Sequence, residues 1–171
     1  MVDSAPVPAI REAIKQNEIG NASPYGLSYA RLGASGASFG IFQGDTNVNH
    51  LARATLMRAL QAASAAGNAI ARIMAAVSQP CQNGNPLSAA DSGVADAALS
   101  SPAGVALVDA MDANLLQVVL GELDSCIASS ASRGHTIEPA ALLCVVLQTD
   151  LRRLWPGLRP SASAALCAII A

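Results

Sequence analysis

Aromatic residues are scarce in this chain, which has two tyrosines, two phenylalanines and one tryptophan among 171 residues. Four of them, Tyr25, Tyr29, Phe39 and Phe42, lie within the segment from Glu18 to Asp45. Core packing alone does not predict such crowding in a chain that is 3% aromatic. This segment is therefore the first candidate for a functional site.

An excess of either charge is also missing. Ten basic and twelve acidic residues give a formal net charge of -2, so we expect no nucleic-acid partner, because no basic stripe can replace counterions. Polar residues interrupt the apolar stretches before the roughly 20 residues that a membrane helix needs, and we expect no membrane span. The N-terminal residues show no secretory signal, so action at the cell wall would require non-classical release from the cytoplasm.

Metal-ligand spacings are absent as well. The four cysteines, Cys81, Cys126, Cys144 and Cys167, form no CxxC or Cys/His pattern, so we expect no structural zinc site. The sequence is compatible with free thiols in the core and with at least one disulfide. His50 and His135 are too isolated for a metal centre. The run that begins at Asp45 resembles the opening of a calcium loop, but His50 and Leu56 stand where that loop has glycine and glutamate.

Apolar periodicity predicts a mostly α-helical (α+β) fold in one domain, 1–171. A catalytic helix and hairpin would occupy about 8–46, and a helical bundle about 48–171. The first helix runs from about Pro8 to Ile19, with Gly20 as its C-terminal cap. Ile10, Ile14 and Glu18 recur every four residues, so Glu18 shares the face that looks into the protein.

The remaining elements follow from periodicity and turn residues. Alternation predicts one small β-hairpin, with strands Leu27–Arg31 and Ala37–Phe42 joined by a turn at Gly33–Gly36. Asn47 or Asn49 caps a helix from His50, and further helix extends to about Val77. Another helix follows Ser88, and the last helices lie beyond Pro139 and Pro160. A helix that starts at Ser101-Pro102 should be buried, because its apolar residues recur at helical spacing at Val105, Val108, Met111, Leu115, Val119, Leu123 and Ile127.

Glu18 is the candidate proton donor. A carboxyl on an apolar helix face is partly desolvated, which raises its pKa, and a neutral carboxyl near pH 6 can protonate a glycosidic oxygen. The competing interpretation is an ordinary exposed glutamate near a helix end. Glu12, near the helix start where negative charge is favoured anyway, is the natural control.

The segment Gly36–Gln43 is the second candidate element. Its glycines permit close approach of a backbone, and Gln43 offers a donor and an acceptor to a sugar hydroxyl or N-acetyl group. An ordinary hairpin whose phenylalanines fill the core is the alternative. Trp155, beside Arg152-Arg153, either edges a carbohydrate groove or seals the core.

The two elements together resemble the lysozyme superfamily, over about 28 of the 171 residues. Where animal-type lysozymes read Asp-Tyr-Gly-Ile-Leu-Gln-Ile-Asn, this chain reads Ser38-Phe39-Gly40-Ile41-Phe42-Gln43-Gly44-Asp45. The run from Gly36 to Gln43 is also similar, with one insertion, to the Gly-Ala-x-Gly-Leu-Met-Gln element of lytic transglycosylases and goose-type lysozymes.

The resemblance implies a lysozyme-like helical domain with Glu18 as general acid. Ser38 stands where animal-type lysozymes carry their second carboxylate. A serine can neither form the glycosyl ester nor balance the positive charge of the transition state as a carboxylate does. Asp45, two residues past Gln43, either holds a water as a second catalytic carboxylate or caps the following turn. The expected substrate-binding residues are Tyr25, Tyr29, Ser38, Phe39 and Gln43.

The expected activity is cleavage of β-1,4 bonds in peptidoglycan, by a hydrolase or a lytic transglycosylase. Its partner is a glycan polymer. We also expect no other metal and no cofactor, because acid catalysis of this kind needs none. A chitin- or chitosan-cleaving relative is the first alternative, since a cationic polymer suits a slightly acidic chain. The second alternative is a non-catalytic glycan-binding or interaction module on a lysozyme scaffold, which the serine at position 38 favours.

Overall fold

The computed structural model describes residues 7–31 and 33–132. They form five helices and one small three-stranded sheet, so the predicted mostly helical α+β class is confirmed at that level. The helices are α1 Val7–Glu18, α2 His50–Ala62, α3 Gly67–Val77, α4 Ala89–Ser100 and α5 Pro102–Ala131, and the strands are β1 Ser28–Tyr29, β2 Ala37–Phe39 and β3 Gly44–Asp45.

The helix ends match the local signals in the sequence. Gly20 follows α1 with a φ of 54°, and its N–H donates to the carbonyl of Lys15 at 3.0 Å, as a C-terminal cap does. Asn49, one of the two predicted caps, accepts from the N–H groups of Leu51 and Ala52 at 2.9 and 3.2 Å. Ser88 caps α4, and its hydroxyl oxygen accepts from the N–H of Asp91 at 3.1 Å.

The antiparallel sheet has the order β1-β2-β3, one strand more than the predicted hairpin. Ser38 lies opposite Ser28 on one side and opposite Asp45 on the other. The second strand ends at Phe39, before the predicted end at Phe42, because Gly40 has a φ of 80° and turns the chain. That turn produces the third strand.

The chain divides into two compact units. The first contains α1 and the part of α5 from Asn114 onward, and the second extends from Asn21 to Ala113. The boundary after Gly20 falls inside the predicted catalytic segment 8–46. The assignment of residues 1–171 to one domain stays a prediction.

The core of the second unit is built from the sheet, the three middle helices and the start of α5. Its largest fully buried side chains include Phe39, Ile41, Leu56, Leu60, Ile73 and Leu99. Burying one such side chain contributes roughly 1.5–3 kcal/mol. Alanines at 52, 59, 95 and 98 are also buried, and their small size lets the helices approach closely.

Among the described glycines, Gly104 at the corner between α4 and α5 has the closest neighbours. Only Ser101 separates the two helices. A Cβ on Gly104 would collide with the carbonyl oxygens of Ala98 and Leu99. The absence of a side chain at position 104 therefore allows α5 to start directly against the end of α4.

One ion pair joins α3 to α4. The guanidinium of Arg72 donates from Nε and Nη2 to the two carboxylate oxygens of Asp91 at 3.1 and 2.7 Å. Asp91 is 8% exposed, and the hydrogen bonds from Arg72 hold the pKa of its carboxyl below the usual value. This bidentate geometry fixes one helix against the other.

The predicted periodic helix is α5, which ends at Ala131. Val108, Met111 and Val119 are buried as the period requires, although Leu116 is buried where the period indicated Leu115. Its first 20 residues, Pro102–Gly121, are long and apolar enough to cross a membrane by length and composition alone, a test that core helices also pass. The predictions for the helices after Pro139, and for His135, Cys144, Trp155 and Cys167, lie outside the described residues.

Candidate functional site

Glu18 is the last residue of α1 and is half-buried. Ile14, one turn earlier on the same face, is buried with 1% exposure, as the four-residue spacing predicted. Glu12, in contrast, is exposed and accepts a hydrogen bond from Gln16 at 2.8 Å. The first unit therefore presents the predicted proton donor at the partly desolvated end of a helix.

In the second unit, three contacts fix the segment that leads into the sheet. The hydroxyl of Tyr25 donates to Oδ1 of Asp109 on α5 at 3.1 Å. The N–H of Leu27 donates to Oδ1 of Asp96 on α4 at 3.2 Å, and the N–H of Gly40 donates to the carbonyl of Pro24 at 2.8 Å. This segment is held by acidic side chains from two different helices.

A tight turn, Gly40–Gln43, follows β2. The N–H of Gln43 donates to the carbonyl of Gly40 at 3.2 Å, and Gln43 adopts a φ of 48°. The carboxylate of Asp112 on α5 accepts from the N–H of Ile41 at 2.9 Å and from that of Phe42 at 3.5 Å. The turn is thereby anchored on one buried carboxylate.

Gln43 and Ser28 form a polar pair at the edge of the sheet. The Ser28 hydroxyl donates to Oε1 of Gln43 at 2.6 Å and also lies 3.1 Å from the carbonyl oxygen of Ser38. Nε2 of Gln43 donates to the carbonyl of Gly40 at 3.1 Å. Ser28 is exposed and Gln43 half-buried, so this hydrogen-bonded pair lies at a partly exposed edge of the sheet.

Ser38 and Phe39, by contrast, lie inside the unit. Ser38 is 2% exposed and Phe39 is fully buried, and Phe42 is buried as well. This is the alternative in which the phenylalanines fill the core. In this conformation neither Ser38 nor Phe39 has surface to offer a sugar ring.

Tyr29 points its hydroxyl into the protein. The hydroxyl oxygen is buried and has no hydrogen-bond partner among the described residues. Burial, with smaller effects from Cys81 and Asp96, raises the pKa of Tyr29 to about 12. An unpaired buried hydroxyl costs stability, so this tyrosine is an unusual feature of the sheet.

Asp45 makes the contacts of a turn cap. Its carboxylate accepts from the Ser35 hydroxyl at 2.7 Å and from the N–H groups of Gly36 and Asn47 at 3.0 and 2.8 Å. These hydrogen bonds belong to the capping alternative. A role for Asp45 as a second catalytic carboxylate stays a prediction.

Cys81 is a free, buried thiol whose pKa is raised by burial and by the nearby charge of Asp45. Cys81 therefore behaves as the free core thiol of the first interpretation. The side chains of the other three cysteines are not among those that the structure describes. Within residues 7–31 and 33–132, no group of three His, Cys, Asp or Glu side chains could hold a metal ion.

The structure brings part of the predicted site together. Ser38 and Asp45 are cross-strand neighbours, Tyr29 lies on the adjacent strand, and Gln43 closes the turn between β2 and β3. Glu18 belongs to the first unit, and these residues belong to the second.

Sequence reasoning missed the acids that organise this region, Asp96, Asp109 and Asp112. The only signal was that Asp109 and Asp112, three residues apart, interrupt the apolar period of α5.

Comparison of the chain with protein-family models, with curated proteins and with solved structures found no match.

Proposed function

We propose that this protein cleaves β-1,4 bonds of peptidoglycan at the cell wall, with Glu18 as general acid. The observation that carries the proposal is the order of elements along the chain. A half-buried glutamate ends α1, and a small sheet follows whose Gly40–Gln43 turn holds an accessible amide. The lysozyme-type resemblance implies this order of acid, sheet and glutamine.

In the proposed reaction, the Glu18 carboxyl donates its proton to the glycosidic oxygen as the bond to the anomeric carbon breaks. The leaving sugar departs as an alcohol, and the resulting carboxylate can then accept a proton from the attacking group. Because Ser38 supplies no carboxylate, the nucleophile in the proposal is a water molecule or a group of the substrate itself.

The sugar-binding residues of the proposal are Gln43, Ser28 and Tyr25. Gln43 and Ser28 supply an amide and a hydroxyl already held by their mutual hydrogen bond, which lowers the entropy lost on binding. Tyr25 supplies a ring whose orientation is fixed by the hydrogen bond to Asp109. Such groups suit the hydroxyl and N-acetyl substituents of the glycan.

The experiment compares Glu18→Gln with Glu12→Gln, an exposed glutamate on the same helix. Purified sacculi are digested, and the products are identified by mass spectrometry. We expect Glu18→Gln to lower the rate at least about 100-fold while the protein stays folded, because general acid catalysis contributes 10²–10⁴. Glu12→Gln keeps the parent rate. A Glu18→Gln variant as fast as the parent contradicts the assignment.

A non-catalytic glycan-binding module is the second candidate function. It is favoured by the serine at position 38, which supplies no carboxylate, and by the hydrogen bonds that Asp45 already accepts within its turn. Binding to sacculi without release of fragments, unchanged in Glu18→Gln, would establish this function. Reducing-sugar release from chitosan but not from peptidoglycan would indicate the chitin-type alternative.

A further inference from the structure

Asp112 lies far along the chain from the candidate-site residues that it contacts. It lies on α5, about 70 residues after the turn that it contacts, and is 1% exposed. Burying a charge is costly unless hydrogen bonds compensate it, so the contacts that Asp112 makes identify its role.

Two of its contacts are with the central residues of the Gly40–Gln43 turn. Inside such a turn the N–H groups of Ile41 and Phe42 have no partner of their own. Asp112 accepts from both, at 2.9 and 3.5 Å. Because the side chains of Ile41 and Phe42 are themselves buried, water cannot replace this carboxylate.

Gly40 shows how closely the carboxylate and the turn fit together. A Cβ at this position would lie 2.6 Å from Oδ1 of Asp112, and the φ of 80° disfavours any side chain. The glycine thus permits both the reversal of the chain and the approach of the acid.

The turn in turn sets the position of the Gln43 side chain. Gln43 follows Phe42 directly with a φ of 48°, and its Nε2 donates back to the carbonyl of Gly40. Oε1 then accepts the Ser28 hydroxyl. The amide is therefore fixed at both ends, by the Gly40 carbonyl of the anchored turn and by the Ser28 hydroxyl on β1.

We infer that Asp112 is a positioning residue that holds the Gln43 amide ready for the glycan. The inference rests on the proposed function for its ligand. Asp112 does not touch the sugar. It acts through the N–H groups of Ile41 and Phe42, and its effect on binding passes through Gln43.

The test is the variant Asp112→Asn, assayed with soluble peptidoglycan strands. An asparagine keeps the side-chain volume but has only one acceptor oxygen, so its NH2 group must face one of the two backbone N–H groups of the turn. We expect KM to rise at least about fivefold with kcat within about twofold of the parent, since charged hydrogen bonds are lost and the chemistry is not. Asp91→Asn, which removes another poorly exposed carboxylate of the same unit, lowers the melting temperature and leaves KM unchanged.

A second measurement separates positioning from general loss of stability. If Asp112 acts through Gln43, Asp112→Asn adds nothing to the KM of Gln43→Ala, so the two effects are not additive. Additive effects, or a folded Asp112→Asn protein with the parent KM, overturn the inference. Where Asp112→Asn does not fold, Gly40→Ala disturbs the same contact from the other side and must raise KM in the same way.

NMR of the Gln43 side-chain amide makes the inference independent of catalysis. The two Nε2 proton signals should lie away from the shifts of a free glutamine amide in the parent and in Asp91→Asn, and should each move toward those free values in Asp112→Asn. Signals unchanged in Asp112→Asn overturn the positioning role. A parent protein that neither cleaves nor binds the glycan defeats the proposed function, while these signals still decide whether Asp112 positions Gln43.

Discussion

The sheet region, residues 21–49, and the helices α2–α4 belong to one compact unit but are held together in different ways. In the sheet region most of the fixed contacts run from polar side chains to backbone groups, as at Asp45, Asp112 and Thr46. The helices pack through aliphatic side chains and alanines, and a single ion pair, Arg72–Asp91, joins α3 to α4.

This difference means that polar contacts determine the shape of the sheet region, whereas apolar packing provides most of the stability of the helices. A polar contact to a backbone group fixes the direction of a loop, because a hydrogen bond has a narrow range of productive geometry. Apolar packing has no such direction but contributes more free energy for each residue. Substitutions among the helices should therefore change stability first, whereas substitutions in the sheet region should change the geometry of the site.

The largest effect is expected in the helices. Leu99 on α4 is fully buried, and Leu99→Ala should lower the free energy of unfolding by about 2–5 kcal/mol, because the cavity adds to the lost transfer energy. The measurement is urea denaturation followed by circular dichroism. Leu51→Ala, at a site on α2 with 37% exposure, is the control and should cost far less. Equal losses at the two sites would break the distinction.

Asp45→Asn should give an intermediate effect in the sheet region. Losing charged hydrogen bonds to Ser35, Gly36 and Asn47 should cost about 1.5–3 kcal/mol of unfolding free energy. Thermal melting and glycan cleavage are measured on the same preparation. A lower melting temperature at the parent rate assigns Asp45 to the turn, whereas a lower rate at the parent melting temperature makes it the second catalytic carboxylate.

The smallest effect is expected for Tyr29→Phe. Its hydroxyl is buried without a partner among the described residues, so removing it should leave the melting temperature at neutral pH unchanged or slightly higher. Tyr25→Phe is the matched control. It loses the hydrogen bond to Asp109 and should melt lower.

The pH dependence of the Tyr29 variant sharpens the same prediction. The folded parent keeps the phenolic proton up to about 12, while an unfolded tyrosine releases it near 10. As pH rises through 10, the unfolded state is favoured by this release, so the parent loses stability toward pH 12. Tyr29→Phe should lack that part of the loss. A hydroxyl that contributes to folding would instead make the variant less stable at every pH.

Local signals in the sequence predicted much of the fold. Gly20 and Asn49 mark helix ends because caps act within a few residues. The period of α5 identified Val108 and Met111 as buried. The third strand was missed because two residues, Gly44-Asp45, are too short to show alternation.

The candidate site was less accessible to sequence reasoning. Periodicity does not show which aromatic residue of a short strand faces the core. Phe39 was therefore expected to contact a sugar, but its side chain is fully buried. Asp112 contacts residues about 70 positions away, and no local pattern encodes such a contact. The acids that hold the sheet region could be found only from the folded chain.

The corner at Ser101 has a consequence for engineering this chain. With backbone oxygens packed against Gly104, any insertion or new terminus placed there would separate α4 from α5 and open the core. The link between α2 and α3 is the opposite case. Ala63 and Ser64 are exposed, so an affinity tag or a circular permutation belongs in that linker.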